Sequence, residues 1–218
     1  MNTWFVTGTD TEIGKTFATC DLLKHLVASG QRAAGLKPIA SGCESSREGL
    51  RNEDARLLMA ASNVRLDYAQ VNPYAFEPPI APHIAAERAG VVIDTAFAAR
   101  ALPAVQADWV LVEGAGGWNI PLGQGRVLKD LAAAFTSQVL LVVGMRLGCI
   151  NHALLSAQQI RRDGFELVGW VANEVDPAML ESAANLATLD DLMPAPRLAF
   201  LPWTPAAGEA VIGDWRLP

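Results

Sequence analysis

The residues most capable of chemistry lie at the start of the chain. Gly8-Thr9-Asp10-Thr11-Glu12-Ile13-Gly14-Lys15-Thr16 follows an apolar run, Trp4–Val6, and precedes an amphipathic stretch. Strand, glycine turn, Gly-Lys-Thr and helix in that order read as a phosphate loop. Glycines let the backbone curl until its N–H groups face an anion, and the helix N-terminus adds partial positive charge. Lys15 supplies a cation for the outer phosphates, and the Thr16 hydroxyl is a hard ligand for Mg²⁺. Five residues separate Gly8 from Gly14, one more than in the usual G-x-x-x-x-G-K-[ST] pattern. Magnesium on a nucleotide needs further oxygen ligands. Glu113 is the first polar residue after the apolar run Trp109–Val112 and stands beside the glycine turn Gly114–Gly117. It is read as a metal-binding carboxylate, with a solvated loop acid as the bland alternative. Asp54 is either a second such carboxylate or, with Glu53, a charge at a helix N-terminus. Lys37 ends the run Ala33–Leu36, before Pro38. It is either a solvated strand-end lysine or a cation bridging a transferred phosphate and an acidic substrate group.

These groups must be held by a sheet. Apolar runs at Trp4–Val6, Ala33–Leu36, Trp109–Val112, Val139–Val143, Leu167–Ala172 and Leu198–Leu201 alternate with helical patterns. Several are apolar throughout, as parallel strands covered on both faces are. Leu22, Leu23, Leu26 and Val27 form one helical stripe that Gly30 can stop, and Ile150, Leu154, Ala157 and Ile160 form another. The expectation is an α/β fold: one doubly wound domain over residues 1–218, with a mostly parallel sheet of the P-loop NTPase type. A short helix is expected over Glu53–Ala61. The stretch Ser41–Pro82 is the least regular, and the tail after Pro202 reads as loop.

Composition narrows the class. The chain has 218 residues, 51% of them hydrophobic and 18% charged, with formal charge −6. That apolar content excludes a disordered chain. Mild acidity argues against a nucleic-acid partner. The longest apolar run, Val139–Val143, is far short of the about 20 residues that span a bilayer. No signal peptide is evident, and Cys20, Cys43 and Cys149 are odd in number and widely spaced. A reduced, cytoplasmic protein is expected, without disulfides and without a membrane.

Taken together the residues resemble one family closely, the ATP-dependent dethiobiotin synthetases. The resemblance rests on GTDTEIGKT (Gly8–Thr16), LKPIASG (Leu36–Gly42), GLRNEDA (Gly49–Ala55), VNPY (Val71–Tyr74), PHI (Pro82–Ile84), WVLVEGAGGW (Trp109–Trp118), LGCINHA (Leu147–Ala153) and GWVAN (Gly169–Asn173). The longer glycine spacing of the phosphate loop is itself a mark of that family. Residues 91–107 and 177–192 match weakly, and the tail beyond Glu209 hardly at all.

The resemblance implies a reaction. One amine of 7,8-diaminononanoate takes up CO₂ as a carbamate, ATP phosphorylates it, and the second amine closes a cyclic urea. It also implies roles. Glu12, Ile13, Gly14, Lys15, Thr16 and Phe17, with Gly116, hold the triphosphate. Thr16, Asp54 and Glu113 hold Mg²⁺. Lys37, with Lys15 and Thr11, is catalytic, and Thr11, Lys37 and Ser41 contact the substrate. Asn173 reads adenine, since an amide offers one donor and one acceptor. Pro202, Trp203, Thr204 and Glu209 surround the base and ribose. Gly148, Cys149, Ile150 and Asn151 form a helix N-terminal seat for the substrate carboxylate, reached from the neighbouring subunit of a homodimer.

The remaining candidates have plainer readings. Cys149 packs rather than reacts. His83 and His152 are expected to be hydrogen-bonded structural residues. Trp118 covers a loop or lies near the substrate chain. Arg161 and Arg162 complement a helix dipole. Family members often carry lysine at the position of Arg146, which receives no role. The rival function is a nucleotide-switched, partner-binding P-loop ATPase. Such proteins usually carry a second lysine early in the phosphate loop, and Thr7–Asp10 offers none. An amide-forming ligase with a glutaminase domain would need a longer chain.

Overall fold

The computed structural model describes residues 1–204 and 213–217. Its centre is a sheet of six strands: β1 (Asn2–Gly8), β2 (Ala33–Leu36), β3 (Trp109–Gly117), β4 (Gln138–Met145), β5 (Glu166–Glu174) and β6 (Arg197–Leu201). Their order across the sheet is β6-β5-β4-β1-β3-β2, and every neighbouring pair is parallel. All six apolar runs of the sequence become these strands. β3 continues beyond its apolar run through Glu113 to Gly117, so Glu113 lies within a strand rather than just after one.

Side chains alternate across the sheet with period two. Trp4 and Val6 face one layer with Leu22, Leu23 and Leu26, while Phe5 faces the other with Leu128 and Leu131. The helices that supply these layers start and stop where local chemistry dictates. Helix α1 (Lys15–Ala28) begins at Gly14 and ends at Ser29-Gly30, where Gly30 takes φ +82°. Helix α2 (Glu53–Ala61) is capped by Asn52, whose Oδ1 accepts the Ala55 N–H at 3.1 Å. Helix α3 (Leu128–Phe135) follows β3. Helix α4 (Cys149–Arg162) buries Ala153, Ala157 and Ile160 and carries Arg161 and Arg162 in its last turn, where cations suit the dipole. Helix α5 (Ser182–Leu192) packs beside α4. The irregular stretch between β2 and α2 contains a small hairpin, Glu44–Ser46 with Gly49–Arg51.

Chain direction sets the site's position. From β1 the chain moves to β2 at one edge, returns to β3 and then crosses to β4 on the far side of β1. The strand order reverses there, and a crevice opens at the carboxyl ends of the strands.

The described tail residues are loop, as read, and residues 213–217 are anchored to α1. Asp21, on α1, is 2% exposed, and its Oδ2 accepts the Gly213 N–H at 2.7 Å and the Trp215 indole N–H at 2.8 Å. Trp215 packs into the α1 layer, and the Arg216 N–H donates to the Leu198 carbonyl. Residues 213–217 therefore strap the sheet. Burial raises the Asp21 pKa above 3.8, and the two N–H donors only partly offset it. As pH rises from 3.8 the unfolded chain ionises first, so this group favours folding at low pH and opposes it towards neutrality. Asp21→Asn keeps an acceptor oxygen and removes the ionisation. Its stability relative to wild type should rise as pH climbs from 3.8 to neutral in a urea-denaturation series. A difference independent of pH would reject this assignment.

Candidate active site

The phosphate loop leaves β1 at Gly8 and enters α1 at Lys15. Glu12 and Gly14 both adopt left-handed backbone, at φ +56° and +77°. A side chain at Gly14 would be strained in φ and would also strike the Asn173 amide, 2.1 Å from the position of its Cβ. The Asn173 Nδ2 donates to the Ile13 carbonyl at 2.8 Å, which pins the loop to the end of β5. The Ile13 side chain is buried. Arg146, at the end of β4, pairs with Asp10 Oδ2 at 2.5 Å, and Asp10 Oδ1 accepts the Thr11 N–H at 2.8 Å. Arg146 thereby acquires a structural partner that its sequence position did not suggest.

Lys15 Nζ donates to the Asp10 carbonyl at 2.8 Å. Burial, then repulsion by Lys37, lowers its pKa to about 8, against the pull of Glu113, Asp54 and Asp10. An anion arriving over the loop would favour its charged form.

Opposite the loop lies the charged centre. Glu113 is fully buried. Its Oε1 accepts from Lys37 Nζ at 2.5 Å and from the Thr16 hydroxyl at 2.8 Å. Its Oε2 is buried with no partner. Lys37 Nζ also pairs with Asp54 Oδ2 at 2.9 Å and lies 3.3 Å from the Gly114 carbonyl. Burial alone would drive the Lys37 pKa down, but Glu113 and Asp54 outweigh it and hold the ammonium above its ordinary value. Lys37 in turn overcomes burial at Asp54 and holds that carboxyl below the usual carboxylate value. Three residues from three elements, β2, β3 and α2, thus share one charge cluster. The solvated readings of Lys37 and Glu113 fail because both side chains are buried. Asp54 does stand in the first turn of α2, as its helix N-terminal reading has it, and it also joins this cluster.

These groups line a cleft of about 740 Å³. Of the residues expected at the site, Thr11, Glu12, Gly14, Lys15, Thr16, Lys37, Ser41, Asp54, Glu113 and Gly116 line it. Ile39, Ile80, Pro82, Ile120 and Pro121 add an apolar wall; Ile39 and Pro82 fall within the quoted motifs, but the sequence alone assigns none of the five a role. Ser41 Oγ is buried without a partner. Gly116, at φ +63°, leaves room beside Ile120 and Thr11.

Other expected residues lie elsewhere. Phe17 packs against the α1-side core. Asn173 ends β5, and Pro202, Trp203 and Thr204 follow β6, where the Trp203 N–H donates to Glu174 at 3.0 Å. Glu209 lies outside the described residues. Gly148, Cys149, Ile150 and Asn151 open α4 and do not line this cleft. The Cys149 side chain is buried, as a packing role requires. The expected hydrogen bonds of the two histidines are not found: His83 Nδ1 is buried without a partner, and His152 is exposed. Trp118 is buried and does not line the cleft. It stacks edge-on against Phe165 and donates to Asp163 at 2.8 Å, tying the glycine turn to the end of α4.

Among the described residues no three His, Cys, Asp or Glu side chains gather as a metal cage. Thr16, Asp54 and Glu113 are nevertheless hard oxygen donors within one charge cluster. The unpartnered Glu113 oxygen fits a small cation that completes its shell with phosphates and water.

Comparison with known proteins follows the same lines. A model of the AAA domain family matches residues 2–210. The ATP-dependent dethiobiotin synthetase of Pseudomonas paraeruginosa is 53% identical over 215 residues, covering 97% of this chain and 94% of that protein. One from Escherichia coli is 50% identical over 202 residues, covering 92% of this chain and 90% of that protein. In structure the chain is similar to a MinC:MinD cell division complex of Aquifex aeolicus, with TM-score 0.60 and 16% identity over 94% of this chain and 82% of that one. That likeness speaks for the P-loop α/β fold alone. On sequence the chain belongs to the AAA domain family and, within it, to the ATP-dependent dethiobiotin synthetases, ATP-consuming cyclo-ligases of biotin biosynthesis.

Proposed function

We propose that residues 1–218 act as one catalytic domain that converts 7,8-diaminononanoate, CO₂ and ATP to dethiobiotin at the cleft between the phosphate loop and Lys37. The observation that carries this reading is the buried Lys37 ammonium, held between Glu113 and Asp54 and facing the anion-binding loop across the cleft. A cation so placed can meet a carbamate oxygen and a terminal phosphoryl group together, the two reactants that must come into line.

The residues divide the work. Main-chain N–H groups from Glu12 to Phe17, with Lys15, hold the triphosphate. Asn173 and the Pro202–Thr204 segment lie at the ends of β5 and β6, while Lys37 and Glu113 belong to the β2–β3 side. Neighbouring strands are about 4.8 Å apart, so a nucleotide lying across the strand ends would reach from a base site to the charge cluster. Thr16, Asp54 and Glu113 would hold Mg²⁺. When bound, that ion supplies charge neutralisation on the phosphates.

The carbamate oxygen attacks the γ-phosphorus and ADP departs, leaving a carbamic–phosphoric anhydride. The second amine then attacks the carbonyl carbon, phosphate leaves with the bonding pair, and the amine gives up its proton. Lys37 offsets the negative charge at both stages, and preorganised charge of this kind contributes most to such barriers. Thr11 and the unpaired Ser41 hydroxyl are placed to orient the polar end of the substrate, and the apolar wall suits its aliphatic chain.

Leu147, just before α4, Leu155, on α4, and Leu180, just before α5, are exposed at 93%, 58% and 87%. Their exposure supports a homodimer in which Gly148–Asn151 meets the partner's substrate carboxylate. The free thiols of Cys20, Cys43 and Cys149 suit a reducing cytoplasm. No helix among the described residues is long and apolar enough to cross a membrane.

The reading is tested by incubating the protein with diaminononanoate, labelled bicarbonate, ATP and Mg²⁺. Label should enter a cyclic urea. Lys37→Ala should yield none while binding ATP within about threefold of wild type in calorimetry, and full turnover by Lys37→Ala would remove that residue from the mechanism. Glu113→Gln should raise the Mg²⁺ concentration for half-maximal turnover about tenfold or more, since second carboxylates commonly matter that much. An unchanged titration rejects it as a ligand. Sedimentation at assay concentration should give a dimer, and a fully active monomer contradicts the shared site.

A further inference from the structure

Lys37 is held at both of its ends. Its ammonium pairs with Asp54 Oδ2 at 2.9 Å. Asp54 stands in the first turn of α2, whose N-cap is Asn52. The Asn52 N–H donates to the Tyr68 hydroxyl at 2.7 Å. That hydroxyl donates to Asn72 Oδ1 at 2.9 Å, and Asn72 Nδ2 donates to the main-chain carbonyl of Lys37 at 2.6 Å. A closed circuit results, running from the lysine head through the α2 cap and two side chains to the lysine's own backbone. A second contact reinforces it, the Lys37 N–H donating to the Val71 carbonyl at 2.9 Å.

The circuit is well protected. Asn72 is 3% exposed and Asn52 is 7% exposed. The Arg51 guanidinium lies 4.2 Å from the centre of the Tyr68 ring and covers its face. Burial also pushes the Tyr68 phenol up, so it stays a donor at working pH. Neither Tyr68 nor Asn72 lines the cleft. Both can act on the reaction only through Lys37 and Asp54.

We propose that the Tyr68 hydroxyl and the Asn72 amide are positioning groups for the reaction, fixing the separation of the β2 end from the α2 cap so that Lys37 and Asp54 meet the reactants in register. The physical reason is the short reach of the chemistry. Lys37 must serve two acceptors in sequence, and displacement of a catalytic group by a fraction of its hydrogen-bond length costs far more in rate than in binding. A circuit with each donor and acceptor paired is stiff, whereas one missing hydroxyl leaves the Asn52 N–H and Asn72 Oδ1 unpaired and free to repack. This inference rests on the roles assigned above to Lys37 and Asp54.

Tyr68→Phe is the direct test, with Tyr74→Phe as the comparison. Tyr74 is a buried tyrosine whereas Tyr68 is half-buried, and the Tyr74 hydroxyl accepts the Asp94 N–H at 2.9 Å outside the circuit. Tyr68→Phe should lower kcat about tenfold or more and leave the KM for ATP within about twofold. Mass spectrometry after brief treatment with an amine-reactive ester should show faster acylation of Lys37 in Tyr68→Phe than in wild type. Tyr74→Phe should lower the urea midpoint while leaving kcat and Lys37 acylation unchanged. Asn72→Ser cuts the circuit at a second point and should repeat the kcat loss. The proposal is overturned if Tyr68→Phe and Asn72→Ser keep wild-type kcat, if Tyr74→Phe loses as much kcat as Tyr68→Phe, or if neither circuit variant folds. A Lys37→Ala enzyme with full turnover would instead remove the reading on which the proposal stands.

Discussion

The structure depends on a salt bridge buried where no water reaches it. Glu113 has no exposed surface, and its charge is met by the Lys37 ammonium and the Thr16 hydroxyl. Taking two opposite charges out of water is costly unless geometry and further hydrogen bonds compensate. Here the ammonium finds a second carboxylate at Asp54 and a carbonyl at Gly114. The arrangement is poor as a stability device, since one Glu113 oxygen is left without a partner. It makes sense as a site in waiting, where a polyanion and its cation complete what the protein leaves open. Removing either partner strands the other, so Lys37 and Glu113 depend on each other.

The parallel sheet makes this cluster possible. Main-chain bonds between neighbouring strands hold β1, β3 and β2 in register, so the phosphate loop, Glu113 and Lys37 emerge at one edge despite wide separation in sequence. Hydrophobic burial on both faces fixes the strands, and the polar groups gather where the apolar runs end. The same edge carries Asn173 on the other side of the loop. Its amide supports the loop through Ile13, so loop shape and the proposed base site are mechanically joined.

The MinD likeness separates scaffold from chemistry. Sixteen per cent identity with TM-score 0.60 describes a shared strand arrangement and phosphate loop. Identity at the level of half the residues to dethiobiotin synthetases, over nearly the whole chain, carries the family assignment that the scaffold alone does not. The early phosphate loop carries no second lysine, and the nucleotide-switch alternative is not favoured.

The sequence by itself determined the six strands, the first and last turns of α1 and α4, the extent of α2 and the phosphate loop. Each depends on local signals: apolar runs, helical period, glycines at fixed spacing. It also supplied Lys37, Asp54 and Glu113 as candidates, two of them with bland alternatives that only burial removed. The tertiary structure decided which of them share a charge cluster, because contact across 76 residues depends on strand order and not on spacing. It alone produced the Asp21 strap, the Arg146–Asp10 pair, the Trp118–Asp163 tie and the Tyr68–Asn72 circuit. In each, a polar side chain of ordinary appearance gains its partners only when folding brings distant segments together. Sequence patterns report where a chain buries apolar surface, whereas the partner of a buried polar atom is fixed only when distant segments meet.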